Sequence, residues 1–578
     1  MVARPLSDNA RHGIAVLAAV GLALLMAAPV LPDPTTRALG HAGNDVWNHV
    51  WGFWFVFESL AAGELPVRSE LLAWPHGGSL WFIDAFNAVL TAPIQAIAGP
   101  VAAYNASVVG NLALCGVGAY ALGWQVSRSW AGALFCGLAY QTAPHLLGQV
   151  VNGISETLAA GWLPLAILAM RAALADPRPR TALAAGVLFG LNGLANWYYG
   201  LFAGLALLGL LVRAGMQQVG RPAWGQKLRE MAPLAGLGGI MTLCIVALPF
   251  DLFLESMSAA DAIVTRDPDF VRRTLVEHNM TDLISFFRPG RHYSPDLKAA
   301  FDEDLLVIVY LGWSLLLPAG VALVGSARSR ALSWAALTAL FFLLALGPYL
   351  YFAGAYQSVG GAWLALPFLW LFEAIPLFGR ISHAYRFAVG CTLGLGVMAA
   401  LGIASMGTRR LAARAAVALC GARRVESLLL SPAPMPLPWS DATQSPVLAS
   451  LEGGAVLDLP VTLPVLSRSR FILGQTLHRQ PVPFGLNDPL PPYLAANRYT
   501  RFLVVLERTR AAVLPTQLPW MDLVAGRAEA QAAGLRWIVM HKAHYDADVL
   551  ARVRHLLDLT ATPVHDDAAL RIYRLDSL

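Results

Sequence analysis

Long apolar runs recur along this chain, near residues 13–32, 80–98, 104–126, 130–147, 154–172, 182–212, 233–254, 305–325, 331–352 and 384–405. Each is close to the roughly 20 residues that an α-helix needs to cross a bilayer. The run at 182–212 is long enough for two short spans around Asn196 and Trp197. With 57% of residues hydrophobic and only 13% charged, the sequence leaves an ordinary soluble domain too little polar surface. It reads as a polytopic membrane protein.

The first run has Arg4 and Arg11 before it and Ala-Ala-Pro at 27–29, flanks that a signal peptide also shows, but its apolar stretch is too long and more spans follow. It reads as an uncleaved first span. The net charge of +5 therefore bears on orientation, not on nucleic acid. The positive-inside rule puts Arg4 and Arg11, Arg171 to Arg180, Arg213 to Arg229, Arg328 and Arg330, and Arg409 to Arg414 in the cytoplasm. Large loops at 33–79 and 255–304 then face outside. The runs between 80 and 254 have the wrong parity for this, so one of them, within 99–160, must be broken, re-entrant or fused with a neighbour. Cys115, Cys136, Cys244, Cys391 and Cys420 are scattered without metal-like spacing and read as small core residues.

The first outside loop opens with GNDVWNHVWGFW, residues 43–54. Wound at about 100° per residue, Asp45, Asn48, His49 and Gly52 share one face, while Trp47, Val50, Trp51 and Trp54 share the other. The Asp45 carboxylate and His49 imidazole lie one turn apart and can meet. The indole face suits a helix lying in the membrane interface, with its polar face toward a cavity. A plainer alternative makes Asn44 or Asp45 a helix cap and His49 a residue at the wet edge.

After this helix come GELP (63–66), LLAWPHGGSLWF (71–82) and a span carrying Asp84 and Asn87. That order resembles the GT-C superfamily of membrane glycosyltransferases, whose members include protein O-mannosyltransferases, aminoarabinose transferases and uncharacterised bacterial relatives. The WPHG segment is similar to a tyrosine-proline-x-glycine element of those relatives, with Trp74 in the tyrosine position. The resemblance implies an all-α polytopic GT-C-like bundle of about 11–13 transmembrane helices over residues 1–431, in the bacterial cytoplasmic membrane with its active site on the outer face. It also implies transfer of a sugar from a polyprenyl-phosphate donor to a glycan, lipid or protein acceptor. Asp45, His49 and Glu156 are the candidate catalytic residues. Arg288, Arg291 and His292 in the second loop, with Arg380 and Arg386 at the mouth of the run 384–405, are candidates for the lipid phosphate, because guanidinium groups bind phosphate bidentately. Asn48, Trp74, His76, Asn196 and Tyr198 are candidates for a sugar or acceptor cavity. Asp45, His49 and Glu156 could hold a divalent cation, though nothing in their spacing demands one. Glu156 could instead be an N-terminal helix acid, the Asn196–Tyr198 aromatics an interfacial belt, and the arginines contacts to membrane lipid.

Beyond residue 432 a Pro-rich segment gives way to alternating apolar stretches, AVLDLPV, RFLVVLE and LRWIVMH, interleaved with helical patterns. This predicts a small soluble α/β domain over 432–578, similar to a cap found in the uncharacterised relatives, including GQTLHRQP at 474–481. It is expected outside, although Arg423, Arg424 and Glu426 make the segment 411–431 a poor span. Two other functions remain open from sequence. A lipid or polysaccharide transporter would show repeated halves, which are absent here, and a non-catalytic envelope assembly protein would keep the fold without needing the acid.

Overall fold

The computed structural model describes residues 7–216, 224–264, 268–289, 305–431, 433–486, 491–509 and 522–575. Among them, six helices are long and apolar enough to cross a membrane. The first, α1 (Asp8–Met26), starts at Ser7, whose hydroxyl caps the Ala10 amide. Its buried stripe is Ala15, Ala19 and Ala23. Small side chains at helical spacing let another helix approach closely: a Cβ on Gly116 would come within 2.8 Å of the Ala19 Cβ.

The parity problem is solved by fusion. The runs at 80–98 and 104–126 form one helix, α3 (Ala85–Ser127), broken at Gly99, whose φ of 81° precedes Pro100. The part before the break is about 14 residues, or ~21 Å, too short to cross the hydrocarbon. Both of its ends stay level with the first loop. Asp84 adjoins Ser155 and His49, and Asn105, just past the break, bonds Leu39, Arg37 and Pro34. The part after Pro100 is long enough to cross, and it ends where Arg330 donates to the Val126 carbonyl at 3.3 Å.

From that end α4 (Trp130–Gln141) and α5 (Pro144–Asn152) lead back to the loop side, and a 3-10 turn (Ser155–Gly161) feeds α6 (Trp162–Ala175) inward. Helices α7 (Pro179–Ala195) and α8 (Trp197–Met216) form a hairpin around Asn196, and α9 (Trp224–Ser258) packs on α7. Ala388–Ala404 is the centre of the bundle, buried over almost its whole length. Its glycines meet neighbours at once: a Cβ on Gly402 would sit 2.0 Å from the Pro318 carbonyl oxygen, and one on Gly132 of α4 2.5 Å from that of Ala400. One end of the bundle gathers arginine. Arg171 bonds Gln125 at 3.0 Å, and the Arg11 carbonyl accepts from the Trp130 indole at 2.9 Å.

The C-terminal part is a four-stranded sheet ordered Thr562–Asp566, Leu570–Arg574, Leu535–His541, Ala455–Leu459, with only the last pair parallel. It interlocks with the first loop. Arg37–Leu39 pairs with Trp439–Asp441, and α2 (Val46–Ala61) packs against Val465–His478, where the Trp51 indole donates to Gln475 at 2.7 Å. This corrects the reading of α2. Trp47 and Trp51 are fully buried because the indole face docks on the C-terminal domain, not on lipid.

The segment Arg409–Leu429 is a helix from the arginine end to this domain. Arg423 and Glu426 turn inward, while Arg424 stays exposed. Arg423 lies 3.4 Å from Glu426 and donates to the Leu311 carbonyl at 3.1 Å, and Glu426 accepts from Tyr310 and the Trp313 amide, each at 2.7 Å. The charge of this buried pair is thus balanced inside the protein, with the Glu426 carboxylate fully hydrogen-bonded.

The order of helix ends makes a labelling prediction. Cysteines replacing the exposed His76 and Val524 should react with a membrane-impermeant thiol reagent on intact spheroplasts, and one replacing Arg180 only after lysis. Co-labelling of V524C with R180C would mean that Arg409–Leu429 does not cross.

Candidate functional site

At the end of the bundle opposite the arginines, four stretches distant in sequence bring ionisable groups together inside an otherwise apolar interior. Helix α2 contributes Asp45, Asn48 and His49, the start of α3 contributes Asp84 and Asn87, the turn after α5 contributes Ser155 and Glu156, and the turn Ala384–Phe387 contributes Arg386. His49, Asp84, Glu156 and Arg386 are all at least nine-tenths buried. Gly52, on the polar face of α2, is needed here: a Cβ would fall 2.0 Å from the Phe82 ring, which lies edge-on to His49 with centroids 5.8 Å apart.

The imidazole is held from both sides. Its Nδ1 lies 3.0 Å from the Ser155 hydroxyl and 3.5 Å from Asp84. The Ser155 hydroxyl donates to Asp84, which leaves Nδ1–H to donate to the Ser155 oxygen. Nε2 lies 3.4 Å from Glu156. Asp84 is fixed further by the Asn87 amide at 2.6 Å, itself held by Asn111 at 3.1 Å. Glu156 continues to Arg386 at 3.7 Å, and the guanidinium stands 5.0 Å from the Tyr198 ring centroid. A chain Asp84–His49–Glu156–Arg386 results, with hydrogen bonds or ion pairs at each step.

Of the catalytic candidates, His49 and Glu156 meet directly. Asp45 stands at the edge, half-buried, where its carboxylate accepts from Asn48 at 3.1 Å. It starts α2 without a side-chain capping bond. The expected contact of Asp45 with the imidazole is replaced by Asp84 and Glu156, since the ring points into the bundle while Asp45 stays at the helix mouth. Asn196 joins the site by donating to the Glu156 carbonyl at 3.2 Å and accepting from the Tyr198 amide at 2.9 Å. Among the described residues, no group of three His, Cys, Asp or Glu side chains is arranged to hold a metal ion.

Other candidates lie elsewhere. Trp74 donates to the Ala533 carbonyl at 3.0 Å and packs edge-on against Tyr493, so the WPHG segment clasps the C-terminal domain. His76 is exposed beside it. Arg288 and Arg380 are exposed and take no part in the buried chain. Arg291 and His292 lie outside the described residues. Asp84 and Asn87 stand out in their span, and Ser155 beside Glu156, yet the sequence alone assigns them no role. The available signal is a carboxylate placed immediately before an apolar run.

No family model matches the chain, and no curated protein matches it in sequence. Among solved structures, it is similar to the apo oligosaccharyltransferase of Archaeoglobus fulgidus, at 12% identity and a TM-score of 0.48, over 98% of this chain and 74% of that one. It is also similar to ArnT from Cupriavidus metallidurans bound to undecaprenyl phosphate, at 14% identity and a TM-score of 0.40, over 98% and 97%. A third is AglB of Archaeoglobus fulgidus in complex with an inhibitory peptide and a dolichol-phosphate, at 11% identity and a TM-score of 0.42, over 98% and 74%.

The surroundings of His49 make its charge state testable. Burial favours the neutral ring, but the hydrogen-bonding Asp84 and the negative charge of Glu156, Asp84 and Asp45 outweigh it and hold the pKa above its ordinary value. A raised folded-state pKa stabilises the fold fully below the unfolded value of about 6.5 and loses that contribution as pH rises through the folded value. The melting temperature should therefore fall as pH rises from about 6.5, and His49→Gln should flatten that slope. An unchanged slope in the variant would mean that the imidazole is not the charged member of the chain.

Proposed function

We propose that this protein is a GT-C-like membrane glycosyltransferase that moves a sugar from a polyprenyl-phosphate carrier to an acceptor at the outer face of the bacterial cytoplasmic membrane. The observation that carries this reading is the buried chain from Asp84 through His49 and Glu156 to Arg386, with Asp45 at its accessible edge. Ionisable groups inside a membrane bundle are costly and mark functional sites, and this set offers what the transfer needs: a carboxylate for the acceptor hydroxyl and a cation for the departing phosphate.

Asp45 is the least buried of the three carboxylates, and so the one an acceptor can reach. It takes the hydroxyl proton or orients the hydroxyl as the sugar leaves. Arg386, steadied by Glu156 and lying against Tyr198, neutralises the phosphate. Glu156 thus couples the two sides, bracing both the imidazole and the guanidinium. Arg288 remains a candidate for the headgroup region, as does Arg380. The Arg-rich opposite end supports an outward-facing site through the positive-inside rule. A transporter is less well supported, because its binding site belongs near the bilayer midplane, and this chain of groups lies at helix ends.

Mass spectrometry of lipid that co-purifies with the protein should find a polyprenyl phosphate. Arg386→Ala should weaken its retention by about thirtyfold, equivalent to about 2 kcal/mol for one lost charge-assisted bond, and Arg380→Ala should weaken it far less. With the donor in hand, Asp45→Asn should keep donor binding and lower transfer by about 10²- to 10⁴-fold. Turnover within about threefold of the parent would remove Asp45 from the chemistry and favour a non-catalytic assembly role.

A further inference from the structure

Away from this site, a groove of about 480 Å³ opens between the end of α1, α4 and the helix Arg409–Leu429. That volume is in the range of ligand-sized cavities, ~300–1,000 Å³. Its walls are apolar, with Leu22 from α1 facing Phe135 and Leu138 from α4. Its charged groups come from one helix, and the Thr142 hydroxyl at the end of α4 is already bonded to the Leu138 carbonyl at 2.8 Å. Arg423, Arg424 and Ser427 all line it. Ser427 is 2% exposed, and its hydroxyl has no hydrogen-bond partner, nor has the buried Nε of Arg423.

Two features fix the chemistry of an occupant. The first is charge. Arg423 is balanced by Glu426 at 3.4 Å, whereas Arg424 is exposed and, among the described residues, no carboxylate forms an ion pair with it, so the rim carries an uncompensated cation. The second is depth. Glu426 accepts from the Trp313 amide at the start of Trp313–Val324, and Met26 at the end of α1 lines the groove, so the cationic rim lies level with helix ends on the side of the C-terminal domain. Phe135 and Leu138 lie further along α4 toward the arginine end. A guanidinium at headgroup level above an apolar trough matches a phosphate joined to an acyl chain.

We propose that this groove is a binding site for an anionic membrane phospholipid, its phosphate on Arg424 and the Ser427 hydroxyl and one acyl chain along Leu22, Phe135 and Leu138. The site is separate from the Asp84–Arg386 chain and does not depend on the proposed transfer reaction. Bound there, the lipid would pin α1 to the last crossing, which carries the C-terminal domain.

Native mass spectrometry of the full-length protein in detergent, titrated with phosphatidylglycerol or phosphatidylcholine, tests this. Wild type should retain phosphatidylglycerol at least about tenfold more strongly than phosphatidylcholine. Arg424→Gln should lose that preference, and Arg424→Lys should keep most of it. Ala28→Trp, at an exposed rim position of the groove, should block both lipids without changing the melting temperature of the lipid-free protein. Equal retention of the two lipids by wild type, or phosphatidylglycerol binding unaffected by both Arg424→Gln and Ala28→Trp, would overturn the proposal. Displacement by millimolar inorganic phosphate with no residual contribution from the acyl chain would also overturn it.

Discussion

The buried cluster of ionisable groups depends on how His49 is held. Its two ring nitrogens face carboxylates from different parts of the chain, Asp84 through Ser155 and Glu156 directly. Through those contacts the imidazole joins α2, the start of α3 and the turn after α5, and Glu156 extends the connection to Arg386. In a low-dielectric interior none of these groups is tolerable alone, and removing one partner leaves the others buried and uncompensated. The bundle can therefore place four ionisable side chains together only because they neutralise one another in sequence.

The same helix that presents His49 inward presents tryptophan outward, and it serves as the joint between the bundle and the C-terminal domain. Trp51 bonds Gln475, whose amide also reaches the Leu71 carbonyl at 2.6 Å, while the Arg470 guanidinium lies 5.2 Å from the Trp47 ring centroid. A shift of the domain would thus act on α2 and, through it, on both His49 and Asp45. Because Asp45 sits at the first turn of α2, its position depends on this docking as much as on the bundle.

The two faces of α2 are legible in the sequence as a pattern, but not their destinations. Helical spacing separates polar from apolar side chains, yet it cannot distinguish lipid from a protein partner of equal apolarity. Trp74 is ambiguous for a related reason: an aromatic beside proline and glycine looks the same in a cavity wall and in a clasp, and only the Ala533 carbonyl and Tyr493 ring decide. Parity reveals that one run has to be fused or broken, and the Gly99–Pro100 step, visible in the sequence, is where α3 breaks. The apolar spans, Glu156 and Arg386 can be found from composition and position. The role of Asp84 cannot, because its partners at 49 and 155 come from far along the chain and no local period relates them.

Comparison of the two buried Arg–Glu pairs separates structure from chemistry. Glu426 is fully engaged, accepting from Tyr310, the Trp313 amide and Ser314 while it meets Arg423. That pair closes a helix contact. Glu156 meets Arg386 at the longer distance of 3.7 Å, and its other oxygen, the Arg386 Nε and the Tyr198 hydroxyl all lack hydrogen-bond partners while buried. Unsatisfied buried polar groups cost stability and call for an explanation, and a cluster of them around one guanidinium is explained if an oxygen-rich anion completes the set. The two pairs are alike in residue type and burial. What distinguishes them is that the Glu426 carboxylate is fully hydrogen-bonded within the fold, whereas Glu156 and its neighbours Arg386 and Tyr198 each keep a buried polar atom without a partner.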